Sequence, residues 1–293
     1  MDMRAREGFA MADVIRDRPP AAGSGWGHVL SEGLDRLGTG AAGPVTVRRL
    51  TMADIGLALR RGWEDFGALR SDVIFMCLFY PLAGLIMFRL AAAADLLPLI
   101  GPMVIGFAIL GPLLATGLYE MSRRRERGEP AGWSSAFAVL RNPGIVPVLV
   151  LGSFLVALFG LWLETAWLIH RATLGPGAAP SLLRMIEASL ATPEGWRMIG
   201  LWALFGAAYA AVALVIGLVS FPMLIDPERR AGLGTALATS VQVARRNPGV
   251  TLAWGILVLA LVILGSLPFL AGLIVVFPLL GHATWHLYRR AVG

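Results

Sequence analysis

Lysine does not occur anywhere in this chain, and cysteine occurs once. The lone Cys77, set in an apolar run, can form neither an internal disulfide nor a thiolate metal cluster, and reads as a small packing residue. Charged residues make up only 15% of the chain, against about 25% in ordinary soluble domains. Enzymatic fingerprints are missing too: there is no P-loop, GxSxG, HExxH or Rossmann glycine pattern. No residue is left to assign to catalysis, and the expectation is a protein that is not an enzyme. The N-terminus has scattered charges, from Asp2 and Arg4 to Arg18, and no apolar core, so a cleavable signal peptide is not expected. The first membrane helix must then direct its own insertion.

What the chain does contain is apolar sequence. Hydrophobic residues reach 57% and the mean hydropathy is +0.70. They collect into runs such as GIVPVLVLGSFLVALFGLWL (144–163), and runs of about 18 or more such residues read as transmembrane helices. A β-barrel would instead alternate over segments of about ten residues. Six spans are expected, near 73–93, 97–119, 144–170, 196–225, 249–266 and 269–288. The tripeptide SLP (266–268) makes the last two antiparallel neighbours.

All 25 basic residues are arginine, which we read as the codon usage of a GC-rich genome. Their placement sets the orientation. The short loops on one side carry Arg123, Arg124, Arg125, Arg127, Arg141, Arg229, Arg230, Arg245 and Arg246, while the other side carries Arg89, Arg171, Arg184 and Arg197. The positive-inside rule therefore puts both termini in the cytoplasm, as expected for a bacterial inner-membrane protein. A net charge of +6 then signals anionic headgroups at the cytoplasmic side rather than nucleic acid.

An internal repeat organises the chain. SSAFAVLRNPGIVPVLV (134–150) and GTALATSVQVARRNPGVTLAWGILV (234–258) each run from small residues through an amphipathic helix to an Arg-Asn-Pro-Gly hinge and a span. LALRRGW (57–63) is a degenerate third copy. The expected fold is all-α: six transmembrane helices in three repeated hairpins (about 51–128, 134–230 and 234–290), each preceded by a short amphipathic interfacial helix. Residues 1–45 read as a mobile cytoplasmic segment with one short helix near 25–38, and 46–293 as the membrane domain. In the first interfacial helix (51–72), Ile55, Leu59 and Trp63 are expected on the apolar face. In the hinges, Asn142 and Asn247 precede proline and end a helix, and Pro143 and Pro248 suit the first turn of the next. Arg141, Arg245 and Arg246 would meet lipid phosphate; the alternative is a phosphorylated substrate.

The segments ALRRGWEDF, GPLLATGLYEMSRRRERGE, ARRNPG and GHATWHLYRR resemble an uncharacterised bacterial integral-membrane family, the domain-of-unknown-function 2189 family, over roughly residues 46–290. The resemblance implies a multi-span inner-membrane protein and brings no activity, substrate or catalytic residue. Members are sometimes labelled as oxidase subunits, but the dispersed histidines of a haem–copper core are absent here.

Candidate polar sites are few. His282 and His286 share one helix face and could, with Glu120, hold a metal ion. The bland reading has both imidazoles bonding to neighbouring helices, with Trp285 and Tyr288 as interface anchors. Glu120 could equally pair with an adjacent arginine. Glu164 and His170, near the outer end of the third span, form a possible intramembrane polar site. Arg89 and Asp95 are expected to snorkel or pair. SLLRMIEASL (181–190) reads as an outer-surface helix with Leu182, Leu183, Ile186 and Leu190 toward lipid. No cofactor is implied. The expected function is that of an accessory or scaffold protein acting by helix packing and lipid contact, with a membrane-protein partner. The alternatives are a small transporter of a lipid or hydrophobic solute, whose cavity would lie among proline-kinked helices, and a metal-binding membrane protein.

Overall fold

A computed structural model describes residues 26–38, 45–69, 97–175, 182–268 and 270–293, together with Arg89. The first expected span, Cys77 and Asp95 lie outside the described residues. Eleven α-helices follow one another among those that are described: α1 Trp26–Asp35, α2 Met52–Ala68, α3 Ile100–Leu114, α4 Thr116–Glu126, α5 Trp133–Ala136, α6 Ile145–Thr173, α7 Leu182–Ala191, α8 Pro193–Ile225, α9 Leu233–Arg246, α10 Pro248–Ser266 and α11 Leu273–Ala291. Short 3-10 turns, Leu97–Leu99 and Phe137–Arg141, precede α3 and follow α5.

Four of these segments are long and apolar enough to cross a membrane: Leu97–Leu114, α6, α8 and α10. Their ends follow local chemistry. At α8, Thr192 Oγ accepts from Gly195 N at 3.0 Å and Pro193 occupies the first turn, where a missing N–H costs nothing. Pro248 opens α10 in the same way. α3 runs through Pro112 to Leu114, and the helix restarts at Thr116 after a single turn residue, Ala115. Thr116 Oγ donates to the carbonyl of Leu113 at 2.6 Å across this joint. The sixth expected span, α11, carries His282, His286, Arg289 and Arg290 and is not among the four apolar segments.

The centre of the bundle is α8, which packs on α3, α6, α9 and α11. Buried indoles are satisfied by backbone: Trp162 Nε1 donates to the carbonyl of Pro102 at 2.8 Å, and Trp202 Nε1 to that of Ala166 at 3.0 Å. The amphipathic helices lie against other helices. α2 runs along α11, α5 lies on α4, and α9 lies on α8. At the α2–α11 crossing, a Cβ on Gly62 would sit 2.7 Å from the backbone nitrogen of Ala283, so only glycine allows this approach.

That contact corrects the reading of the first interfacial helix. The buried stripe of α2 is Asp54, Ile55, Ala58, Gly62, Asp65 and Phe66, whereas Trp63 is 56% exposed. Small and acidic residues at helical spacing face α11, and the tryptophan faces outward. The middle copy is also shorter than expected, a single α-turn (α5) running into a 3-10 turn. α1 belongs to the bundle rather than to a loose tail. It packs on the start of α6, and the carbonyl of Arg36 accepts from Leu233 N at 2.8 Å. Helix α7 appears where expected, with Leu183, Ile186 and Leu190 exposed.

Candidate functional site

Polar residues concentrate where α4 and α11 end against α2. Asp65, 3% exposed, is the hub. Its Oδ2 accepts from Ser122 Oγ at 2.7 Å and from His286 Nε2 at 2.9 Å, and its Oδ1 is bound by Arg125. Ser122 Oγ also meets His282 Nδ1 at 2.7 Å. An ionised carboxylate only accepts, so the hydroxyl proton goes to Asp65 and His282 Nδ1 is the donor to Ser122. Burial pushes the Asp65 carboxyl up, but the hydrogen bonds from His286 and Ser122 and the neighbouring imidazoles outweigh it, holding the group below its ordinary value of 3.8. The other ring nitrogens, His282 Nε2 and His286 Nδ1, are buried without a hydrogen-bond partner among the described residues.

Further clamps surround this hub. Arg290 bonds Asp54 at 2.6 Å, and Asp54 also accepts from Thr51 N at 2.8 Å. Burial raises the Asp54 carboxyl, and the Thr51 amide and Arg290 bring it back below the usual range. Asp226, at the end of α8, accepts from Tyr288 Oη at 2.9 Å. Trp285 Nε1 donates to Glu126 at 3.0 Å. Arg289 bridges Glu126, Asp226 and Glu228, and Arg127 bonds Glu228 at 2.7 Å. Trp285 and Tyr288 are each 1% exposed, so they are buried clamp residues and not membrane-surface anchors.

The proposed metal triad does not assemble. Glu120 is consumed by Arg123 at 2.7 Å and Arg124 at 2.8 Å, three and four residues along its own helix. The carboxylate that meets the histidine pair is Asp65, and it meets only His286 directly. Among the described residues no group of three His, Cys, Asp or Glu side chains is placed to hold a metal ion. Glu164 and His170 are likewise not brought together: Glu164 is exposed on α6, while His170 is 3% exposed and stacks on Trp167. Six residues apart on one helix, they point to different sides.

The two hinge asparagines act as tethers. Asn142 Nδ2 donates to the carbonyl of Ile225 at 2.7 Å, and its Oδ1 accepts from Gly144 N at 2.8 Å. Asn247 Oδ1 accepts from Leu50 N at 2.7 Å, and its Nδ2 donates to the carbonyl of Arg48 at 3.1 Å. Residues 46–48 in turn pair with the end of the chain, Arg48 N to the carbonyl of Ala291 at 2.8 Å. The sequence reading placed Asp226 at the level of the histidine pair but missed Asp54, Asp65 and Ser122; for the two aspartates, a stripe of small and acidic residues on α2 was the available signal.

An apolar cavity of about 180 Å³ lies between α3, α8, α10 and α11. Phe107, Ala211, Trp254 and Phe277 line it, with Tyr119 and Thr284 among its few polar members.

Comparison with known proteins gives one result. No match was found among curated proteins or solved structures. Of the four segments that carried the resemblance, GPLLATGLYEMSRRRERGE falls inside the matching region, and ALRRGWEDF, ARRNPG and GHATWHLYRR fall outside it. Residues 100–226, from the start of α3 through the end of α8, match the family model described as predicted integral membrane protein (DUF2189), and with its membrane-length helices the chain is an integral membrane protein similar to that family.

Proposed function

We propose that this is a non-enzymatic accessory or scaffold protein of the bacterial inner membrane, acting by helix packing and contact with anionic lipid. In this reading it spans the membrane six times as three repeated hairpins, with both termini cytoplasmic. The packing of the amphipathic helices supports the repeat. Each lies on the closing helix of another hairpin: α5 on α4, α9 on α8, and α2 on α11. Three repeats joined in this way close a ring, in which the first amphipathic helix seals against the last hairpin. The single observation that carries the scaffold role is the fate of the buried acids. Asp54, Asp65, Glu120 and Asp226 all sit in ion pairs or hydrogen bonds, and three of them tie separate elements together. Such groups hold helices in register and are not free to move protons or solute.

The test uses protein tagged at its native locus, extracted in mild detergent and weighed with everything that stays bound. A stoichiometric membrane-protein partner is the expected result. A homo-oligomer carrying one enriched solute would overturn the scaffold role and favour a small transporter of a lipid or hydrophobic solute. The 180 Å³ cavity favours that second reading, because an apolar cavity of about 150 Å³ already accepts a benzene-sized guest.

A further inference from the structure

One cluster of arginines takes no part in the clamps. Arg49 and Arg246 face each other across an open groove of about 480 Å³, formed by residues 49–52 and 246–250. Both side chains are exposed, and neither has an ion-pair or hydrogen-bond partner among the described residues. The carboxylate nearest in sequence, Asp54, is already committed to Thr51 and Arg290. The groove is therefore a cationic recess with no counter-charge of its own.

Its backbone has the same preference. Asn247 is the N-cap of α10, yet its side chain does not cap that helix. It reaches instead to Leu50 and Arg48, and so draws the first residues of α2 beside the first turn of α10. The N-terminus of α10 opens on the recess and its uncapped first-turn amides favour an anion, whereas that of α2 is already capped by Asp54. A third observation concerns glycine. The two hinges share Asn-Pro-Gly, but a Cβ on Gly144 would strike the carbonyl oxygen of Leu224 at 2.0 Å, whereas a Cβ on Gly249 would meet nothing within 4 Å. Packing explains the first glycine and not the second. A bare backbone at 249 lets a ligand approach the amides closely.

We infer that this groove binds the phosphate of an anionic membrane lipid. Arg49 and Arg246 make charge-assisted hydrogen bonds to its oxygens, and the first turn of α10 supplies amide donors. The groove opens at Pro248, the first residue of a membrane-length helix, which is headgroup depth. The inference deepens the lipid contact of the proposed function by giving it an address, and it rests on that reading only for the choice of a lipid over free phosphate.

The test is native mass spectrometry of the full chain in mild detergent. The probes are phosphatidylglycerol, phosphatidylcholine of the same acyl chains, and inorganic phosphate. The wild type is expected to retain phosphatidylglycerol over phosphatidylcholine. Arg49→Gln/Arg246→Gln should lower that occupancy about tenfold, each arginine at the surface contributing a large factor. Arg60→Gln/Arg61→Gln removes the same charge from the outer face of α2 and should leave occupancy within about twofold. Gly249→Ala should fold as the wild type and still bind less, which keeps the test valid if the double variant unfolds. Equal loss in both double variants, or loss in neither, overturns the site. Phosphate binding that needs Arg49 and Arg246 without any preference for phosphatidylglycerol overturns the lipid and assigns a soluble phosphorylated ligand. The native-locus partner should survive Arg49→Gln/Arg246→Gln, so failure of the lipid site and failure of the scaffold role are read separately.

Discussion

Two arginine-rich regions sit side by side in this protein and are treated in opposite ways. At the ends of α4 and α11, Arg123, Arg124, Arg125, Arg127, Arg289 and Arg290 are all paired with carboxylates. Across the segment 46–50, Arg49 and Arg246 face a groove and pair with nothing described. The chain has no lysine, so residue type cannot separate the two roles. Carboxylate placement does. Where Asp54, Asp65, Glu126 and Asp226 come within reach, arginine becomes a bolt between helices. Where no free carboxylate is available, it stays open to an outside anion.

The sharpest way to break the comparison is to remove the hub of the bolted region. Asp65→Ala leaves Ser122, His286 and Arg125 without their shared acceptor, all around a site that is 3% exposed. Losing one partner of a buried charged group costs about 3 kcal/mol or more. The thermal midpoint in detergent should fall by more than for any variant of the groove arginines. An Asp65→Ala protein as stable as Arg49→Gln/Arg246→Gln would erase the distinction between the regions.

The paired glycines come next. Gly144→Ala forces a methyl into the carbonyl of Leu224 and should cost about 2 kcal/mol, the usual range for an overpacked site. Gly249→Ala meets open space and should be nearly neutral for folding. The two melting curves, recorded together, test whether identical hinge sequences have diverged into a packing joint and a binding joint.

Acid should act on one region only. Asp54 and Asp65 titrate below their ordinary value in the folded protein, so unfolding takes up protons on the acid side. The stability they supply is complete above the unfolded value of 3.8 and is lost below it, as pH falls through the lower values these groups have in the folded protein. Melting scans across that window should show a steeper decline for wild type than for Asp65→Ala. Parallel curves would remove Asp65 from the clamp. The groove arginines stay charged throughout and contribute no such slope.

How much of this was legible beforehand follows from sequence distance. The apolar runs of α6, α8 and α10 were readable because hydropathy is a local signal. So were the prolines that open helices and the pairing of Glu120 with arginines three and four residues on. The hub was not, because Asp65 and His286 are 221 residues apart. Periodicity shows that one side of α2 is buried but not against what, and it gives the two aspartates on that side no partner. The groove was hidden for the same reason: Asn247 was visible as a hinge, but Leu50 and Arg49 reach it across nearly two hundred residues.

The smallest expected effect lies at Glu164, and it sharpens the contrast from the far end. An ionisable residue inside a span invites a functional role when it faces protein or water. Here it is exposed on α6 and lines neither the 180 Å³ cavity nor the groove. His170, its expected companion, is buried elsewhere on the same helix. Glu164→Gln should therefore change stability by less than about 0.5 kcal/mol, as surface substitutions do, and leave the native-locus partner bound. Loss of the partner with stability intact would place a recognition surface on this side of α6. Loss of an associated solute would move the working part of the molecule to the opposite end of α6, away from the clamped arginines. A neutral result leaves function at the arginine-rich end, where one set of arginines is bolted shut and the other stands open.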